Sequence, residues 1–209
     1  IKTMRACFQE KSCRFIFAGF REAQREHRER ESPFNFSTSL HLGNFTYDQT
    51  AELVGVPMNN LGVKFASRAQ VIRRIYRETA GHPNLVQHCC LALTRQLDES
   101  RAREITLGYL DKLPDDEGFR ARVLDTFIFN TNDLEKAVAY AVADLERFSL
   151  EDVDSRIRRH GLPLEISELE DACRKLESLG VVDQVNQVYK FTIPVFPQLL
   201  RERYGGEFL

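Results

Sequence analysis

A Gly-x-Pro corner, Gly81-His82-Pro83, lies between two amphipathic helix patterns and constrains the fold more than any other part of this chain. Gly81 suits the position just past a helix end, where a left-handed backbone costs a residue without Cβ little. Pro83 suits the first turn of the next helix, where its missing N–H is not needed. Apolar stripes at helical spacing lie on both sides of the corner: Val71, Ile72, Ile75 and Tyr76 before it, and Leu85, Val86, Cys89, Leu93 and Leu97 after it. The residues alone therefore predict a helix, a sharp corner and a second helix.

Composition narrows the class of protein. The chain has 209 residues with 43% hydrophobic content, which is enough for one large or two small cores. Its net charge of −2 gives no bulk attraction to nucleic acid or to an anionic membrane. No apolar run approaches the roughly 20 residues that span a bilayer, so we expect no membrane association. Five cysteines without framework spacing predict a reducing compartment, and hence a cytoplasmic location.

Two short strands are predicted near the N-terminus, at residues 14–18 and 39–42. A charged run at residues 21–31 separates them and reads as a solvated helix or loop. Parallel strands of this kind depend on cover from both faces. We therefore expect fast amide exchange in this region, or self-association through it.

In the middle of the chain, Thr46 is expected to cap a helix over residues 47–54, which Pro57 closes. Ser67 caps the helix that leads to the corner. Residues 104–111 fit either a strand or the start of a helix. The acidic turn at residues 114–118 predicts a domain boundary, followed by a connecting helix over residues 119–129.

The C-terminal part shows the clearest pattern. Helices are expected over residues 134–145, from Ser149 to Gly161, and over residues 166–179. Two strands flank Asn186-Gln187 and predict a β-hairpin, after which a last helix reaches about Tyr204. Three helices followed by a hairpin predict a winged helix-turn-helix.

The order of strand, helical region with Gly-x-Pro, and winged helix resembles the C-terminal two-thirds of STAND-type P-loop ATPases, which are related to AAA+ proteins. The resemblance implies a fold that is mainly α: a remnant of an α/β P-loop core at residues 1–45, a helical lid at 46–113 and a winged-helix domain at 119–209. It also implies that Gly81, His82 and Pro83 contact the nucleotide and that Arg21, near the sensor 1 position, contributes to the same site. The cofactor would be ATP or ADP in an intact parent protein.

The chain departs from this family in two ways. It has no Gly-x-x-x-x-Gly-Lys-Ser/Thr loop to cradle phosphates and no apolar strand ending in paired acids to hold Mg²⁺. We therefore expect this fragment to bind no cofactor by itself and to lack ATPase activity. The five histidines show no metal-ligand spacing, and no catalytic constellation is evident.

The winged helix raises the question of DNA binding. Residues 165–179, which hold its third helix, carry five acidic and two basic side chains, a net charge of −3. Such a helix is repelled by a phosphate backbone, whose neutralisation supplies most of the affinity of DNA-binding proteins. Arg158-Arg159 point the other way, although cations are also favourable at a helix C-terminus. We therefore expect a protein partner or self-association in preference to DNA.

The sequence thus predicts the lid and winged-helix part of a nucleotide-regulated signalling ATPase, which couples nucleotide state to a protein partner. A winged-helix DNA-binding transcription regulator is the alternative. A protein-interaction scaffold without nucleotide is a further one.

Overall fold

The structure is a computed structural model that describes residues 43–162 and 164–205, together with residue 16. The chain divides into two units, Ile1–Gly43 and Asn44–Leu209, and the second is compact and mainly helical. The mainly α fold class predicted from the sequence is therefore confirmed. The predicted strands at 14–18 and 39–42, apart from residue 16, and the candidate Arg21 lie outside the described residues.

The first half of the second unit consists of four helices, two very short strands and one 3₁₀ turn. In chain order they are α1 (Tyr47–Asn60), β1 (Lys64–Phe65), α2 (Arg68–Thr79), α3 (Pro83–Ser100), β2 (Glu104–Ile105), α4 (Leu107–Asp111) and the 3₁₀ turn Leu113–Asp115. Helices α1, α2 and α3 pack against one another, and α4 packs on α2.

The second half consists of five helices and a hairpin. In chain order they are α5 (Glu117–Ile128), α6 (Asp133–Ala141), α7 (Leu150–Arg159), α8 (Ile166–Ser178), β3 (Val182–Val185), β4 (Val188–Phe191) and α9 (Phe196–Tyr204). Helices α6, α7 and α8 pack together, α8 packs on β3, and α9 packs on α5 and α6. Three helices followed by a hairpin is the order predicted for the winged helix.

Helix α1 differs from the prediction at its C-terminal end. It runs to Asn60 with Pro57 inside it, so the expectation that Pro57 closes the helix was wrong. Pro57 lacks its own N–H, but its carbonyl still accepts from Leu61 N at 3.0 Å, so the helix continues past it. The predicted cap is present as a capping box, in which Thr46 Oγ1 accepts from Gln49 N and Gln49 Oε1 accepts from Thr46 N.

The segment 104–111 is both strand and helix. Glu104–Ile105 forms β2, which pairs in parallel with β1, and α4 begins two residues later. Strand β1 was not predicted, because a strand of two residues is too short to show an alternation of apolar and polar side chains. The turn at residues 114–118 is present, and the division into domains at that point stays a prediction.

In the C-terminal part, the first predicted helix is shorter than expected. It ends at Ala141 instead of residue 145, and Val142 leaves the helical region with φ −111° and ψ 9°. The hairpin is as predicted: Asn186 and Gln187 have φ of 53° and 65°, the two positive values that a type I′ turn requires. Phe148 pairs with Tyr189 of β4 in an isolated antiparallel bridge beside the hairpin.

One continuous hydrophobic core extends through the second unit. It includes the predicted stripe of α3, the residues Phe119, Val123 and Phe127 of α5, and the inner faces of α7, α8 and α9. Helix α5, which packs on both α3 and α9, therefore lies between the corner and the hairpin part of the fold.

Candidate functional site: the corner between α2 and α3

The corner has the backbone conformation that the sequence predicted. Helix α2 ends at Thr79, and both Ala80 and Gly81 are left-handed, with φ of 47° and 69°. His82 is the N-cap residue of α3 and Pro83 its first residue. Two consecutive left-handed residues reverse the direction of the chain, so that only three residues separate the end of α2 at Thr79 from the start of α3 at Pro83.

Gly81 also contacts the segment just before α1, at Phe45. Phe45 N donates to Gly81 O at 2.9 Å. A Cβ placed on Gly81 would lie 2.2 Å from Phe45 O and 2.9 Å from Cε2 of Tyr76. Glycine is therefore required here by close backbone approach as well as by its positive φ.

Thr79 holds the corner from inside. Its buried Oγ1 donates to Ile75 O at 2.7 Å and accepts from Gly81 N at 3.4 Å. His82 N donates to Thr79 O at 2.8 Å. The last turn of α2 and the first residues of the corner thus share their polar groups, which fixes the bend.

Glu78, the residue before Thr79, is a buried carboxylate with two arginine partners. Its Oε1 accepts from Arg74 Nε at 2.7 Å and from Arg77 at 3.2 Å. Arg74 also reaches Asp111 of α4 at 3.4 Å. This network fixes the end of α2 to α4, because a buried charge requires paired and hydrogen-bonded neighbours.

His82 is half-buried, and desolvation lowers the pKa of its imidazole. Its Nδ1 is buried and has no hydrogen-bond partner among the described residues. The nitrogen is closed to solvent in this conformation, and the described residues of the corner supply no phosphate cradle. Nucleotide contact at the corner therefore stays a prediction.

The ring of His82 begins a row of aromatic contacts through the unit, here called the aromatic row. Its members, in order of contact, are His82, Phe127, Phe196, Phe191, Phe148 and Tyr189. Ring centroids are 6.0 Å apart for His82 and Phe127 and 5.3 Å for Phe127 and Phe196. The following steps, through Phe191 and Phe148 to Tyr189, measure 6.0, 5.7 and 5.5 Å. These spacings are typical of interacting aromatic pairs.

Sequence reasoning missed the aromatic row. Phe127, the residue that joins the corner to the hairpin part, lay in what was read only as a connecting helix. The one signal in the sequence is that Phe119, Val123 and Phe127 recur every four residues, which marks a buried face. The identity of the partner rings is tertiary information.

Two arginines of α7 are engaged in ion pairs. Arg158 Nε donates to both carboxylate oxygens of Asp154, at 2.8 and 2.9 Å. Arg156 is hydrogen-bonded to Asp144 at 2.5 Å. Of the basic pair noted in the sequence, Arg158 is therefore engaged along its own helix, whereas Arg159 is exposed and makes no ion pair within the described residues.

No group of three or more His, Cys, Asp or Glu side chains among the described residues could hold a metal ion. None of the described helices combines the length and the apolar content needed to cross a bilayer.

Comparison with known proteins gives a loose structural match. No protein-family model and no curated protein matches the chain. Variant chains of RuvB from Thermotoga maritima are similar in structure, with a TM-score of 0.37 and 13% sequence identity over 76% of this chain and 50% of the RuvB chain. This chain thus spans about half the length of the RuvB chains, and we infer no activity from the overlap.

Proposed function

We propose that this chain is the lid and winged-helix portion of a cytosolic STAND-type signalling ATPase, and that it couples nucleotide state to a protein partner. The aromatic row is the observation that carries the proposal, because it joins the Gly81-His82-Pro83 corner to the hairpin by ring contacts. The three described cysteines are free thiols, which agrees with a reducing compartment.

The coupling acts through packing. A nucleotide that contacts His82 and Pro83 changes the position of the His82 ring, which lies against Phe127. Phe127 is 2% exposed and Phe196 is equally buried. Close-packed interiors yield by discrete rearrangement and resist gradual deformation, so a shift at Phe127 is passed on to α9 and β4.

Nucleotide contact at Gly81, His82 and Pro83 belongs to the same proposal, with ATP or ADP bound where a longer chain supplies a P-loop. In the 209-residue chain we expect no ATP hydrolysis. Steady-state assays at micromolar protein test this expectation. Turnover that survives repurification would contradict it.

A double-mutant experiment tests the aromatic row. His82→Ala should shift the backbone amide resonances of Tyr189 and Phe191 in a two-dimensional NMR spectrum. In a Phe127→Leu background the same substitution should shift them far less, because the ring between the corner and α9 is gone. Phe129→Leu is the matched control, since Phe129 is 82% exposed and outside the row.

Two outcomes of the double-mutant experiment would contradict coupling through the aromatic row. If the hairpin amides respond to His82→Ala equally in the Phe127→Leu and wild-type backgrounds, the aromatic row is not the link. If they do not respond in either, the corner and the hairpin are uncoupled.

Pro83→Ala separates the nucleotide role from a structural one. Pro83 presets φ at the first position of α3, so its replacement should leave the stability of the 209-residue chain nearly unchanged. In a longer chain with a P-loop it should weaken nucleotide retention. Loss of several kcal/mol in the fragment with unchanged retention in the longer chain would make the corner a helix joint only.

A further inference from the structure

The outer face of the β3–β4 hairpin is concave and combines apolar with cationic side chains. A cavity of about 290 Å³ lies there, lined by Arg147, Val185, Asn186, Val188, Tyr189 and Lys190. We call this surface the hairpin groove. Val185 is 55% exposed and Val188 38% exposed, so the groove presents aliphatic surface to solvent.

The charge of the hairpin groove is positive. Arg147 has no hydrogen-bond or ion-pair partner among the described residues. Lys190 has one carboxylate neighbour, Asp183, at the long distance of 3.8 Å, and both side chains are about half exposed. Such an exposed pair contributes little, so the two cations are available to an anionic partner.

The complementary surface lies on the same chain, at the start of α8. Leu162 and Ile166 are 46% and 55% exposed, although both are large aliphatic residues. Exposed carboxylates at Glu165, Glu168 and Glu170 surround them in sequence. We call residues 162 and 164–170 the acidic segment.

We propose that two copies of this chain associate by placing the acidic segment of each copy in the hairpin groove of the other. Leu162 and Ile166 cover Val185 and Val188, and the carboxylates of the acidic segment face Arg147 and Lys190. Every chain carries both surfaces, and the proposal places the two contacts about a two-fold axis, so that each copy gives its acidic segment and receives that of the other. The inference goes beyond nucleotide coupling and does not depend on it.

A second copy fits this groove better than nucleic acid does. A phosphate backbone needs cations and gains nothing from two valines, whereas an acidic segment with aliphatic side chains matches both features of the groove. The carboxylates of α8 on the same chain would also repel phosphate.

The first test measures the oligomeric state of the 209-residue chain and its variants by sedimentation equilibrium. Val185→Asp and Ile166→Asp should each raise the dimer dissociation constant at least tenfold. Leu91→Asp is the matched control, because Leu91 is as exposed but lies on α3. It should leave the dimer intact. Association through the N-terminal residues is also distinguished by these variants, because such a dimer would survive both Val185→Asp and Ile166→Asp.

Mixing the two disrupted variants gives a sharper test. In a Val185→Asp and Ile166→Asp heterodimer, one contact carries both substitutions and the other carries none. The mixture should therefore dimerise more tightly than either variant alone. In addition, Arg147→Glu should weaken the dimer, and Glu170→Arg in the same chain should restore it, since Glu170 is exposed and takes no part in the capping box of α8.

Three results would overturn the proposal. The first is a wild-type chain that stays monomeric at concentrations near 1 mM. The second is a mixture that dimerises no better than its components. The third is tight binding of random duplex DNA that Arg147→Glu and Lys190→Glu abolish, which would make the groove a phosphate-contacting surface instead.

Discussion

At the scale of single residues, Gly81 is constrained twice, by its positive φ and by the backbone of Phe45. Gly180 has nearly the same φ, 71° against 69°, but a Cβ on Gly180 would meet nothing within 4 Å. The two glycines therefore separate the cost of a left-handed backbone from the cost of a steric clash.

We expect Gly180→Ala to lower the free energy of unfolding by about 1 kcal/mol, the cost of a left-handed alanine. Gly81→Ala should cost clearly more, because its Cβ must displace Phe45 O. Urea unfolding of both variants checks the difference. Equal costs would show that the segment before α1 moves aside freely.

His82 gives a prediction for the pH dependence of stability. Burial lowers the pKa of His82 in the folded chain below the ordinary 6.5. The unfolded chain then binds the proton more readily, so this residue makes stability fall as the pH drops below about 6.5 and adds no penalty above it. Urea unfolding of His82→Asn should show a weaker loss of stability on acidification.

His88 is the internal comparison for that measurement. Its pKa is lowered by burial, and also by the charges of Arg122 and Arg95. Salt screens the arginine contributions but not desolvation. The loss of stability on acidification that comes from His82 should therefore be the same at low and high salt. The loss that comes from His88 should become smaller as salt is added. A salt-sensitive His82 contribution would contradict burial as its cause.

At the scale of elements, the helix starts are set by local hydrogen bonds. Capping boxes begin α1, α6 and α7, at Thr46–Gln49, Asn132–Glu135 and Ser149–Asp152, and a fourth, at Glu165–Glu168, begins α8. Ser67 holds the equivalent position before α2, but its side chain makes no capping hydrogen bond. The chain thus contains one N-cap serine that makes a capping hydrogen bond, Ser149, and one that does not, Ser67.

Ser149→Ala should lower the free energy of unfolding by about 0.5–2 kcal/mol, because Asp152 N loses its bond to Ser149 Oγ. Ser67→Ala should change it little. Thermal or urea unfolding compares the two. A loss at Ser67 equal to that at Ser149 would mean that Ser67 does cap α2 in solution.

At the scale of the whole molecule, charge is unevenly distributed. Residues from 130 onward carry ten basic and fifteen acidic side chains. We therefore expect no submicromolar binding of random duplex DNA at physiological salt. Fluorescence anisotropy measures it, and a steep salt dependence with tight binding would contradict the expectation. A Glu168→Lys, Glu170→Lys variant should gain affinity, which shows that the assay detects binding by α8.

Local patterns determined much of this protein without any structure. The corner at Gly81 and Pro83, the capping boxes of α1, α6 and α7 and the hairpin turn at Asn186-Gln187 each depend on residues within a few positions of one another. Propensity, capping and turn geometry act over that distance, so the sequence predicts them directly. Pro57 was misjudged because a proline near a helix end removes only one hydrogen bond.

Contacts between distant parts of the chain were decided only by the tertiary structure. The approach of Phe45 to Gly81, the pairing of β1 with β2 and the aromatic row join residues that periodicity treats as independent. A repeating apolar pattern shows which face of a helix is buried, but several neighbours could cover that face equally well. Only the packing of the whole core selects Phe127 as the ring that meets His82 on one side and Phe196 on the other.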